Sequence, residues 1–359
     1  MIKHPIKKNI KRGMKFISSV KNLVLRNTSE LLKPKWLWFE VTDKCNCRCK
    51  FCNIWQKKPT ENILTPDEIE RIFSDELFRG VKHILLSGGE PVIRTDIKEV
   101  ILAIHRALPK AKIVLGTNGL LAERVLDVVK FAIEQCNIDF TVGVSLDGFQ
   151  KDHDKVRGVE GLFDKVDYLL HNLTLLKAKY GNKLNIAVGF VLTDFTFPSL
   201  NKVKLYIQEL NIPLGMFNIQ WYNESSYYNN IGRKLLHNNK SLARIIHSQK
   251  PSIINEMGLN SLNGKSIKFP CFAMYTFCLL KCNGDIVPCF NFWDFKVGNV
   301  RKNTPTEIWH SLESKKARRF VKGCSGCLNA CGVGWSFESC ILSFLPLYIK
   351  IRKNKVKSS

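Results

Sequence analysis

The residues best suited to chemistry in this chain are its thirteen cysteines, which fall in tight groups at 45–52, 271–289 and 324–340, with only Cys136 apart. In a reducing compartment such grouping favours metal sites over disulfides. Within the first group Cys45, Cys49 and Cys52 are spaced C-x3-C-x2-C. Three thiolates on one loop leave a fourth coordination position open, as a catalytic metal centre requires. A structural zinc loop is the competing reading. A closed zinc site takes four ligands, commonly in two separated pairs, and the next cysteine on this half of the chain is the distant Cys136. In the later groups Cys271 and Cys289 are spaced C-x17-C, and Cys324 and Cys327 follow as C-x2-C.

Such ligands need a scaffold that brings distant loops to one place. From Trp36 an aromatic, β-branched run leads straight into Cys45, as a buried strand feeding a loop would. Thr65, Pro66 and Glu68 form a capping-box start for a helix to about Phe78. Further strands are expected at 81–86, 112–115, 140–144, 184–191 and 216–221, with helices near 96–107, 121–135, 162–179 and 200–210. Six βα-type units from Trp36 predict an α/β fold, a partial (β/α)6 TIM-like barrel, with its chemistry at the C-terminal ends of the strands. Polar, glycine-containing segments stand at those ends: Ser87-Gly-Gly-Glu-Pro91, Gly116-Thr-Asn-Gly119 and Ser145-Leu-Asp-Gly148. After about Gln220 the alternation stops. We read 1–35 as a basic amphipathic helix, 36–224 as the barrel, 225–264 as a connection, 265–340 as a small cysteine-rich α+β extension and 341–359 as an apolar, then basic, tail.

The cysteine run and the segments at the strand ends together resemble the radical S-adenosylmethionine (SAM) superfamily, over residues 36 to 221. The resemblance implies that Cys45, Cys49 and Cys52 hold a 4Fe–4S cluster whose remaining iron is chelated by SAM, and that Cys47 has no ligand role. It implies a contact from Gly88, Gly89, Glu90 and Pro91 to the SAM amino group, and makes Asn118, Ser145 and Asp147 further SAM-site candidates, the last two for the ribose. His153-Asp154 and Arg157-Gly158 resemble a stretch found in members with a cysteine-rich extension, where Arg157 pairs with the SAM carboxylate; a guanidinium suits that bidentate task. The Gly284-x4-Cys289 hairpin, Val297-Gly-Asn-Val300 and Glu307-Ile-Trp309 resemble the SPASM or shorter twitch extension of that superfamily. Four thiolates from Cys271, Cys289, Cys324 and Cys327 can fully ligate one auxiliary 4Fe–4S cluster, with zinc as the competing occupant. A two-cluster pattern would place later cysteines differently, so one auxiliary cluster is expected. Cys278, Cys282, Cys331 and Cys340 are left between a second cluster, exchange into the first, and burial as small apolar residues.

The activity implied is reductive cleavage of SAM to a 5′-deoxyadenosyl radical that abstracts hydrogen from a substrate, with an electron donor such as flavodoxin or ferredoxin. Peptide or protein modification and small-molecule dehydrogenation rank first. A non-catalytic iron–sulfur or zinc interaction protein is the alternative. The charge of +24 is uneven: residues 1–35 carry ten Lys or Arg against Glu30, and 341–359 carry five and no acid. Ile6, Ile10, Met14, Ile17, Val20 and Val24 recur at helical spacing among those lysines. The two ends are therefore expected to rest on an anionic membrane surface, which leaves open a lipid-linked substrate, or else to pack their apolar faces on the barrel. Nucleic acid ranks lower because little aromatic residue is interleaved for base stacking. With no apolar run near 20 residues and no signal-peptide pattern, a cytoplasmic protein, peripheral at the inner face of the membrane, is expected.

Overall fold

The computed structural model describes residues 17–27, 32–221, 236–237, 240–247, 252–265, 269–324, 328, 330–345 and 349. Ile6, Ile10 and Met14 of the amphipathic segment, Cys327, and 346–348 and 350–359 of the tail lie outside the described residues.

After a helix over 17–27 (α1), six strands follow: β1 (Trp36–Thr42), β2 (His83–Gly88), β3 (Lys112–Thr117), β4 (Phe140–Ser145), β5 (Leu184–Leu192) and β6 (Phe217–Trp221). Each pairs in parallel with the next. The helices between them are α2 (Pro66–Phe73), α3 (Ile97–Ala107), α4 (Ala122–Lys130), α5 (Lys151–Arg157), α6 (Leu162–Tyr180) and α7 (Leu200–Glu209). Their apolar stripes, such as Ile97, Val100, Ile101 and Ile104 on α3, pack onto the sheet in one extended core. β1 is buried from Leu37 to Thr42, which explains why its sequence shows no polar alternation.

The capping box forms as expected: Thr65 Oγ1 accepts from the Glu68 amide and the Glu68 carboxylate accepts from the Thr65 amide. The expected single helix to Phe78 instead ends at Phe73, because Asp75 caps a separate turn, Glu76–Phe78, by accepting from the Leu77 amide. In the connection, α8 (Lys240–His247) and α9 (Ile253–Leu262) are helical.

The cysteine-rich end continues the same sheet. β7 (Phe277–Leu280) pairs in parallel with β1, and β8 (Asp285–Val287) and β9 (Gly298–Asn299) follow antiparallel, giving one open sheet ordered 6-5-4-3-2-1-7-8-9. Three helices, α10 (Pro305–His310), α11 (Leu312–Gly323) and α12 (Ala330–Ser339), complete this part. Arg318 is buried within it, donating to Met274 O (2.8 Å) and Trp309 O (2.6 Å).

Candidate functional site

The loop carrying Cys45, Cys49 and Cys52 leaves the C-terminal end of β1 and is held from two sides. On one side the Gly89 amide donates to Thr42 O and the Glu90 amide to Lys44 O, both at 2.8 Å. A Cβ on Gly88 would lie 2.0 Å from Thr42 O and one on Gly89 1.9 Å from Lys44 O, so side chains at either position would push the loop away. On the other side the Arg48 amide donates to Arg157 O and the Lys50 amide to Val156 O, both at 2.9 Å. Gly158 has φ +68°, and a Cβ there would meet Arg48 O at 2.7 Å. The glycines of two separate motifs thus admit the cysteine loop between them.

Behind the loop lies a buried polar lattice. Glu90 accepts from Thr117 Oγ1 (2.8 Å) and from the Asn118 amide (2.7 Å), and Asn118 Nδ2 donates to Asn46 Oδ1 (2.7 Å). Burial pushes the Glu90 carboxyl up to about 7. Pro91 opens a short turn and is buried. Ser145 is half-buried at the end of β4.

Asp147 and Arg157 form a buried ion pair. Arg157 Nε donates to Asp147 Oδ2 (2.6 Å) and its NH2 contacts the same oxygen. Asp147 Oδ1 accepts from the Val191 amide (2.6 Å), and the Asp147 amide donates to His153 Nδ1 (3.1 Å), so the proton of that ring sits on Nε2. Burial pulls His153 down to about 3 and keeps it neutral. The remaining arm of the guanidinium, NH1, donates to Cys49 Sγ at 3.6 Å, and the plane stands 5.4 Å from the Phe51 ring centre. Cys49 is pulled down by a hydrogen bond from Cys47 and by Arg157, while burial pushes Cys45 up to about 11 and raises Cys52. The structure therefore brings Asp147 and Arg157 to the cysteine loop as a pair, with both Asp147 oxygens engaged by the protein. Cys47, given no ligand role by the sequence, is fully buried against Cys49, and sequence reasoning assigned no role to Thr117 and Asn46, which complete the lattice. Their signal was position alone, inside or beside the motifs.

Cys45 and Cys52 pack against an apolar wall of Trp38, Ile54, Leu279, Val287, Phe290 and Trp293, and Cys331 packs there too. Cys271, Cys289 and Cys324 line one apolar pocket with Phe269, Phe277, Phe290, Phe292 and Val321. Phe290 is common to both walls, and its ring meets Trp38 edge-on at 4.0 Å. Cys278 is buried in the main core, Cys282 lies 3.4 Å from the buried Glu40 carboxylate, and Cys340 contacts Ser343.

Among the described residues no three Cys, His, Asp or Glu side chains converge on a single ion. An iron–sulfur cube needs no such convergence, since each thiolate takes its own iron. Soft thiolates at an aromatic wall, with one arginine N–H directed at a sulfur, fit that group.

Residues 39–200 match the family described as the radical SAM superfamily, and residues 271–328 match the iron-sulfur cluster-binding domain named SPASM. Fe-coproporphyrin III synthase of Methanosarcina barkeri is 35% identical over 155 residues, 43% of this chain and 37% of that protein. The chain thus spans little more than a third of that relative. AdoMet-dependent heme synthase of the same organism is 24% identical over 332 residues, 82% of this chain and 91% of that protein. Streptococcus suis SuiB, solved with S-adenosylmethionine, shares the fold with a TM-score of 0.63 at 18% identity, over 84% of this chain and 71% of that one; it was also solved with its precursor peptide SuiA.

Proposed function

This chain belongs to the radical SAM superfamily, with a SPASM-type auxiliary domain, and from that premise we propose that it modifies a peptide or protein substrate through SAM-derived radical chemistry. With a 4Fe–4S cluster bound by Cys45, Cys49 and Cys52, the site would supply one-electron cleavage of SAM to methionine and a 5′-deoxyadenosyl radical. The observation that carries the reading is the cysteine loop wedged between the glycines of Ser87–Pro91 and Gly158, with Arg157 reaching Cys49.

The chain's own residues do the positioning. Gly88 and Gly89 keep backbone beside the loop free of side chains. Glu90 fixes Thr117 and the Asn118 backbone at the end of β3, which sets the floor on which SAM would lie. Asp147 orients Arg157, and Ser145 is the polar side chain at the end of β4 offered to the ribose. A second cluster would be held by Cys271, Cys289 and Cys324 together with Cys327, behind the shared Phe290 wall. An electron donor of the flavodoxin or ferredoxin class would reduce the enzyme.

The likeness of fold to SuiB supports a peptide substrate. The likeness to heme synthase over most of both chains favours a second reading, a haem precursor. Anaerobic reconstitution with dithionite and SAM tests the chemistry: 5′-deoxyadenosine is expected from the parent protein and none from the Cys45, Cys49 and Cys52 triple-alanine variant. Fully iron-loaded parent protein that releases no 5′-deoxyadenosine would refute the activity. Turnover with iron coproporphyrin and not with peptide would select the second reading.

A further inference from the structure

Helix α1 packs the opposite way round from an ordinary amphipathic helix. Its buried residues are Ser19 and Asn22, 2% and 3% exposed, while Ile17, Val20 and Val24 are 68%, 43% and 58% exposed and Leu23 is exposed beside them. Polar bonds explain this orientation. Asn22 Nδ2 donates to Ser339 O (2.8 Å), the Ile341 amide donates to Ser19 Oγ (3.2 Å), and Arg26 Nε donates to Cys271 O (3.1 Å) while its guanidinium lies over Phe272 and Tyr275. Three hydrogen bonds of the helix's inner face go to residues 271, 339 and 341, so the apolar stripe is turned outward by the docking itself.

The same bonds bring the two ends of the described chain together. Ile341, held at Ser19, starts a segment in which Ile341, Leu345 and Ile349 are also exposed. An apolar stripe on α1 and exposed apolar residues beside it therefore face outward from neighbouring elements. Each is continued in sequence by basic residues: Lys11, Arg12 and Lys15 before α1, Lys21 within it, and Lys350, Arg352, Lys353, Lys355 and Lys357 after Ile349. Residues 341–359 contain no acid. Exposed apolar side chains flanked by like-signed positive charge match the two layers of an anionic bilayer surface, acyl chains within and negative headgroups at the rim.

We propose that the outward stripe of α1 and the exposed Ile341, Leu345 and Ile349 form one docking face for an anionic membrane surface. The apolar residues enter the interface, and the basic residues that continue both segments in sequence supply the charge that draws the face to anionic headgroups. No helix among the described residues is long and apolar enough to cross a bilayer, so the attachment is interfacial. Because Arg26 of α1 bonds to Cys271 O, the docking face is joined through one residue to the wall of the second cysteine pocket.

The test is flotation of the cluster-loaded full chain with vesicles of phosphatidylcholine alone and with about one-third phosphatidylglycerol. Co-flotation with the anionic vesicles, weakened by salt, is expected. The variant I17S/V20S/L23S/V24S changes only exposed side chains and is expected to remain with the soluble fraction at an unchanged melting temperature. A second variant, K350S/R352S/K353S, is expected to weaken binding about fivefold per charge removed. Equal flotation of parent and quadruple-serine proteins, no flotation of the parent, or equal binding to neutral and anionic vesicles would each overturn the proposal. A soluble parent protein that forms a stable complex with a second protein through this stripe would also overturn it, in favour of a protein interface. 5′-Deoxyadenosine formation, measured in solution on the same preparations, reports separately on the catalytic reading.

Discussion

Replacing Arg157 with methionine separates two roles that the structure gives to one side chain. Its guanidinium satisfies Asp147, which is fully buried, and its NH1 donates to Cys49 Sγ. With methionine in its place, the Asp147 carboxylate keeps only the Val191 amide. Breaking a buried pair in this way costs about 3–5 kcal/mol. At roughly 2 °C per kcal/mol for a chain of this size, the melting temperature should fall by ~6–10 °C. Changing Asp147 to asparagine in the same protein removes the stranded charge, and the amide oxygen can still accept from Val191. The double variant D147N/R157M should therefore recover most of that stability, with a coupling of about 2 kcal/mol or more in the double-mutant cycle. The Cys49 contact is missing from both variants. A cationic donor at a ligand sulfur stabilises the more negative, reduced cluster, so its removal should lower the midpoint potential equally in the single and double variants. Anaerobic thermal melts and a potential titration followed by electron paramagnetic resonance measure the two effects independently. A single variant within about 1 kcal/mol of the parent would refute the buried-pair argument. A potential that recovers along with stability in the double variant would show that Arg157 acts on the cluster only through the fold.

Glu90 gives a pH signature. Its carboxyl is raised to about 7 by burial, from an ordinary value of 4.5, so its stabilising contribution is full below 4.5 and declines as pH rises through 7. The span corresponds to about 3 kcal/mol; urea melts should show the parent losing more stability from pH 4.5 to 7.5 than Glu90→Gln does, and parallel profiles would refute the assignment. Gly89→Ala places a Cβ 1.9 Å from Lys44 O, and anaerobic iron analysis should find the loop's cluster lost while the auxiliary iron is kept. Cys47→Ser should retain full iron content, because the C-x3-C-x2-C spacing omits Cys47, whereas Cys49→Ser should not. Phe290→Ala opens the wall shared by both cysteine sites and should cost about 3–5 kcal/mol in denaturant melts.

The six parallel strands were legible because parallel strands carry dense apolar runs and because the first four end in a local signal, such as Gly88-Gly89 after β2 or the Asn118 segment after β3. What was not legible required partners far along the chain. Asp147 read alone is a polar residue at a strand end, and only the fold shows it facing Arg157 from α5. Helix α5 itself, seven residues long, is too short for periodicity to declare it. In α1 the spacing of Ile17, Val20 and Val24 announced a stripe but not its direction. That depends on Ser19, Asn22 and Arg26 finding Ile341, Ser339 and Cys271 more than 240 residues away. The pairing of β7 with β1 is likewise beyond any local pattern, since the segments lie far apart in sequence and neither motif mentions the other.

That pairing makes the two halves of the molecule mechanically inseparable. The strand that launches the Cys45 loop carries β2 along one flank and β7 along the other, with Trp36 to Phe39 in register with Phe277 to Leu280. Excising everything after residue 265 would bare the backbone amides and carbonyls of β1 along a flat, aromatic flank, the kind of rim on which chains stack and precipitate. The cysteine-rich part thus flanks the strand that launches the Cys45 loop, and the remainder freed of it should emerge as an aggregate, not as a folded half.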